Sequence, residues 1–115
     1  MKIKYTLVGL ILFQTSLFSM PALSGPEWYV SKVVEVSTQA STGALYIRTE
    51  SAPNPANCGG GFAGANWKDN NNDSKSLAAS IALSAKAIDS EVRFQIDDSN
   101  CGEGAMPLML WIQQQ

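Results

Sequence analysis

The sequence predicts a mainly β, α+β domain: a small antiparallel sheet or barrel with one helix, in the order β-β-α-β-β, closed by one disulfide. Three observations carry that expectation. Four stretches alternate apolar and polar residues with period two, and one stretch between them repeats at helical spacing. The only two cysteines, Cys58 and Cys101, bracket the helix and the strand that follows it.

The chain opens with the three parts of a signal peptide over residues 1–24. Lys2 and Lys4 supply the positive start, Tyr5 to Phe18 the mostly apolar run, and Pro21 with Ala22-Leu23-Ser24 the break and the small residues a signal peptidase reads. A run of about 14 residues is short for a membrane-spanning helix, which needs about 20. Cleavage after Ser24 is therefore expected over a retained anchor, and residues 25–115 form a single small domain. Loss of Lys2 and Lys4 leaves six basic residues against ten acidic ones, a net charge of −4. A mildly acidic exported domain is not expected to bind nucleic acid or to enter a membrane.

Gly25-Pro26-Glu27 reads as a lead-in. From Trp28 to Val36 the residues Trp28, Val30, Val34 and Val36 share one face of a strand, with Tyr29, Ser31, Val33 and Glu35 on the other. Thr38 to Gly43 is a polar hairpin loop, and Ala44 to Thr49 returns with Leu45 and Ile47 on one face. Residues 51–73 are irregular, because Pro53 and Pro55 exclude a central strand and Gly59-Gly60-Gly61 favours turns. Ser74 to Ile88 is the helix, capped by Asp73 or Ser74, with Leu77, Ile81, Ala85 and Ile88 as its buried stripe. Val92, Phe94 and Ile96 alternate with Arg93, Gln95 and Asp97 in the next strand. Met106 to Ile112 is the last, with Leu108, Leu110 and Ile112 on one face and Met109 and Trp111 on the other.

Two cysteines in a small exported chain read as one bridge, Cys58 to Cys101. A metal site would lack the remaining ligands, since the chain has no histidine, and a catalytic thiol would lack its imidazole base. No nucleophile elbow, phosphate loop or dinucleotide fingerprint is present, and no cofactor is expected. Asp97-Asp98 and the pair Asp69 and Asp73 read as capping and solvated turn residues rather than an acid/base dyad. The run from Asp69 to Asp73 starts like a calcium loop, but Ser74 stands where glycine is needed and Ser80 where a bidentate acid is needed. No metal site is expected.

The aromatic residues Trp28, Tyr29, Tyr46, Trp67 and Trp111 are the remaining candidates. Exposed rings beside amides and hydroxyls can stack on sugars; equally, such rings complete a core or a subunit contact. Trp67 is the one that periodicity explains least.

The layout resembles the small B subunits of subtilase-cytotoxin and pertussis-like toxins, and small exported bacterial proteins with two cysteines. The residues that carry the resemblance are the helix and strand from Leu77 to Ile96, with its Val92-Arg93-Phe94-Gln95-Ile96 segment, and Glu27-Trp28 just after the leader. The resemblance implies an OB-like barrel with one helix, a five-membered ring of identical subunits, and glycan binding at a serine near the first strand, for which Ser31 is the nearest match. The chain departs from those subunits at Tyr46-Ile47, where they usually carry a further cysteine, and in lacking their longer C-terminal segment.

The leading expectation is a secreted or periplasmic, non-enzymatic binding module that recognises a glycan or an exported protein, with Trp28, Tyr29, Ser31 and Trp67 as candidate ligand residues. The alternative is a periplasmic interaction module, such as a small hydrolase inhibitor presenting the 59–72 loop. An enzyme working through the acidic turns is a third reading.

Overall fold

The computed structural model describes residues 26–60 and 64–115, so the expected leader lies outside the described residues. Five strands are formed: β1 (Trp28–Gln39), β2 (Ala44–Thr49), β3 (Ala65–Trp67), β4 (Glu91–Cys101) and β5 (Pro107–Gln114). One helix, α1 (Asn72–Ala87), joins β3 to β4, and a short 3-10 turn at Glu103–Ala105 joins β4 to β5. The strands close into a barrel in the order β1-β2-β3-β5-β4. This is the expected mainly β, OB-like fold with one helix and one disulfide.

The make-up of the sheet differs from the sequence expectation in two details. The stretch expected to be an irregular loop contains β3, which pairs antiparallel with β2 and parallel with β5, so the sheet is mixed. Three residues are too few to display a period, which is why the pattern around Trp67 reads as loop. The protruding 59–72 loop of the inhibitor reading is thereby partly built into the barrel wall.

β-bulges set which faces are buried. In β1, Val33 opposes Thr49 and Glu35 opposes Arg48, which leaves Val34 as an extra residue. The phase changes there: Ser31 and Val33 point inward before the bulge, and Val36 packs on the core after it. Trp28, Val30 and Val34 consequently face solvent. In β5, Leu110 is the extra residue between Met109 and Trp111, which oppose Ile96 and Gln95. Met109 and Ile112 are both buried as a result, although strict alternation would place them on opposite faces.

β4 needs no such correction at its start. Val92, Phe94 and Ile96 are almost fully buried, and with Ile47 and Met109 they form the centre of the core. Beyond Ile96 the strand leaves its ladder with β5 until Cys101 opposes Pro107.

The helix buries half of the stripe expected: Ala85 is buried and Ile81 packs on the core, whereas Leu77 and Ile88 are largely exposed and Ala78 and Ala82 complete the buried face. The residues facing the barrel are the small ones, so the helix axis comes close to the sheet and the core behind it is filled by Phe94 and Ile47. The N-cap is Asn71, not Asp73 or Ser74: its Oδ1 accepts from the backbone N–H groups of Asp73 at 2.8 Å and Ser74 at 3.2 Å.

Cys58 and Cys101 are bridged, with their Cα atoms 5.8 Å apart. The bridge ties the segment before β3 to the end of β4 across 43 residues. A loop of that length is worth on the order of 4 kcal/mol in the chain-entropy account. Among the described residues no helix is long and apolar enough to cross a membrane.

Candidate functional site

The structure scatters the four ligand candidates. Ser31 is buried, and its Oγ accepts from the backbone N–H of Ser51 at 3.0 Å, so the hydroxyl serves the segment after β2. Tyr29 is half-buried, packs against the core and lies 5.8 Å from Phe94, ring centre to ring centre. Burial, with smaller contributions from Glu27 and Asp98, raises its phenol above the ordinary value. Trp67 also packs on the core, and its indole N–H donates to Ser74 Oγ at 2.9 Å, joining β3 to the first turn of α1. Trp28, 37% exposed, is the one of the four that lies on the outer surface.

Trp28 sits in a cluster that three strands assemble. Trp28 on β1 opposes Gln95 on β4, and Gln95 opposes Trp111 on β5. The two indoles meet edge to face, with centroids 5.9 Å apart. Arg93, opposite Val30 on β1 and Gln113 on β5, places its guanidinium 4.2 Å from the Trp28 ring centre. That is a cation–π contact worth about 0.5–1 kcal/mol at an exposed site. Trp111 is 53% exposed, and its indole N–H donates to Gln113 Oε1 at 3.2 Å. Gln95 Nε2 donates to the Pro26 carbonyl at 3.1 Å and so fixes the chain entering β1.

The result is an outer sheet face of two indoles and Val30, edged by a guanidinium and two carboxamides. It offers flat apolar area with N–H donors and C=O acceptors around it. Arg93 is part of this face and carried no sequence signal beyond its outward place in an alternating strand. Trp111 was legible as a strand residue, and only the bulge at Leu110 combined with pairing to β4 brings it beside Trp28.

Asp97, Asp98 and Asp69 are engaged in local hydrogen bonds that shape their turns. Asp97 is buried where β4 leaves its ladder; Oδ1 accepts from the N–H groups of Ser99 at 2.9 Å and Asn100 at 3.1 Å. Its Oδ2 accepts from Lys68 Nζ and Asn100 Nδ2, each at 3.3 Å. The Ser99 N–H above all, then Asn100 and Lys68, outweigh the opposing effect of burial and hold the carboxyl down to about 2. Asp98 Oδ1 accepts from Ser99 Oγ at 3.1 Å. Asp69 Oδ1 accepts from the N–H of Asn71 at 3.0 Å and shapes the turn into the helix cap. Among the described residues no three His, Cys, Asp or Glu side chains gather as a metal site. No protein-family model, no curated protein and no solved structure matches this chain.

Proposed function

We propose that the protein is an exported, non-enzymatic binding module that recognises a glycan on the Trp28–Trp111–Arg93 face. The observation that carries the reading is the pair of indoles kept in solvent on the outer side of a closed barrel. Trp111 is too exposed to be part of the core, and a large apolar ring in water is unfavourable in proportion to its area. Covering that area with the C–H face of a sugar ring would recover the cost, and Arg93, Gln95 and Gln113, which share the face by register, would supply polar groups for the sugar's hydroxyls.

Export accords with the leader-like residues 1–24 and with a bridge that persists only in an oxidising compartment. A barrel of this type is a scaffold for many ligands, so the ligand class rests on the face and not on the fold. Assembly into a five-membered ring, which the toxin-subunit resemblance implies, belongs to the same proposal. It would multiply weak single-site contacts into useful avidity.

One observation favours a second reading, a protein partner such as a hydrolase. Tryptophan and arginine are the residue types that dominate protein interface energetics, and here they sit together. The two readings separate on a glycan array probed with the oxidised protein, with native mass spectrometry reporting the assembly state. Saturable binding to a coherent set of glycans supports the proposal. An array without hits, together with an exported protein cross-linked through residues near Trp111, replaces it with the second reading.

A further inference from the structure

Charge pairing sets Arg93 apart from the other cations. Lys32 pairs with Asp89 at 3.2 Å, and Arg48 with Glu35 and Lys68 with Asp97 each at 3.3 Å. Lys75 Nζ donates to the Gly43 carbonyl at 2.7 Å, and Lys86 stands in the last turn of α1, where the helix dipole favours a cation. Among the described residues the Arg93 guanidinium has no ion pair and no hydrogen bond. Its one directed contact is with the Trp28 ring.

The residues directly across from Arg93 are neutral, Val30 on β1 and Gln113 on β5. Gln95, two residues along β4, is engaged with the Pro26 carbonyl. Glu91, two residues the other way, lies opposite Lys32, and its charge acts on that ammonium.

A guanidinium carries five N–H donors, no acceptor, and a charge that it keeps throughout the working pH range. Stacking on an indole uses its flat face and leaves the N–H edges free to bond in the plane. Two parallel N–H groups in that plane hold a carboxylate at once, and the pairing is stronger than a neutral hydrogen bond. Arg93 also covers one face of Trp28. Trp111, 53% exposed against 37% for Trp28, is therefore the more open ring for a sugar.

We propose that the tryptophan face takes a hexuronic acid residue, with the C–H face of its ring on Trp111 and its carboxylate on the Arg93 guanidinium. Such a residue joins in one ring the flat apolar side that covers an indole and the anion that Arg93 lacks. The inference rests on the glycan reading of this face and narrows it from sugars in general to acidic ones.

The test is NMR of the oxidised protein, following the indole N–H groups of Trp28 and Trp111 and the Nε–H of Arg93. Methyl glucuronide and methyl galacturonide are titrated beside their methyl esters, which keep the sugar and remove the charge. Sodium acetate supplies the carboxylate alone, and Arg93→Gln is titrated with the same set. The acids should bind about fivefold more tightly than their esters, the amount an ion pair near the surface supplies. Arg93→Gln should bind acids and esters alike.

Equal binding of acids and esters by the native protein would overturn the inference and leave the glycan reading standing. A preference for the acids that survives in Arg93→Gln would do the same. Acetate bound as tightly as the uronides would also overturn it, since that result means an adventitious ion only. If no sugar, charged or esterified, moves the indole signals, the glycan reading falls and this inference with it. The ester comparison needs no substitution, so it decides the matter even where Arg93→Gln does not fold.

Discussion

Trp67 and Trp111 are 44 residues apart in sequence and differ in role, yet they lie on adjacent parallel strands, β3 and β5. Trp67 is packed against the core and spends its indole N–H on Ser74, so its ring locks the helix to the barrel. Trp111 packs edge to face on Trp28, bonds only a side chain two residues away, and leaves half of its area in water. The first ring has a structural task that accounts for its position. The second has no such anchor, and on the proposed reading that difference separates a folding residue from a binding residue.

Substitutions should expose the contrast. Trp67→Ala removes a ring from the edge of the core together with its bond to Ser74, and should destabilise the domain by about 3 kcal/mol, read by chemical denaturation. A loss below about 1 kcal/mol would mean that β3 is a passenger rather than part of the closed wall.

The next effect concerns the same side of the barrel. Asp97→Asn weakens a carboxylate that holds Ser99, Asn100 and Lys68, at a cost of about 2 kcal/mol. The pH dependence follows from the lowered carboxyl. Its folded value of about 2 lies below the ordinary 3.8, so the unfolded chain takes up the proton first on acidification. The stabilisation is present above pH 3.8 and is lost as pH falls towards 2. Acid titration of unfolding should show that loss in the native protein and little of it in Asp97→Asn.

Smallest in stability is the outer pair. Trp28→Ala and Trp111→Ala remove an edge-to-face contact and, for Trp28, the cation–π contact with Arg93. Each should shift the denaturation midpoint by no more than about 1 kcal/mol. A larger loss would assign the pair to folding and weaken its claim to function.

The parts of the molecule legible in the sequence are those where the period runs unbroken. Val92, Phe94 and Ile96, and Leu45 with Ile47, are buried as alternation requires. Alternation fails in β1 and β5 because an extra residue, Val34 or Leu110, shifts the phase, and bulges leave no mark in composition. The helix stripe holds at Ala85 and Ile81 and fails at Leu77 and Ile88, because hydropathy selects those two whereas the space beneath the helix admits alanine. The bridge was legible because two cysteines permit one pairing.

Of the four ligand candidates only Trp28 lies on the face, which it shares with Trp111 from the wider set of aromatic residues. Tyr29 and Ser31 alternate into the barrel and its wall, and Trp67 is anchored by a helix residue that sequence spacing did not suggest. Trp111 and Arg93 join Trp28 through cross-strand register between β1, β4 and β5, which is tertiary information.

The most direct test is to titrate a glycan that binds the native protein into Trp111→Ala and Trp67→Phe, in parallel. The account predicts that Trp111→Ala binds about tenfold more weakly or not at all. Trp67→Phe, which keeps an aromatic ring but loses the bond to Ser74, should bind as the native protein does. Undiminished binding by a folded Trp111→Ala would contradict the account, because the exposed indole would then have no part in recognition.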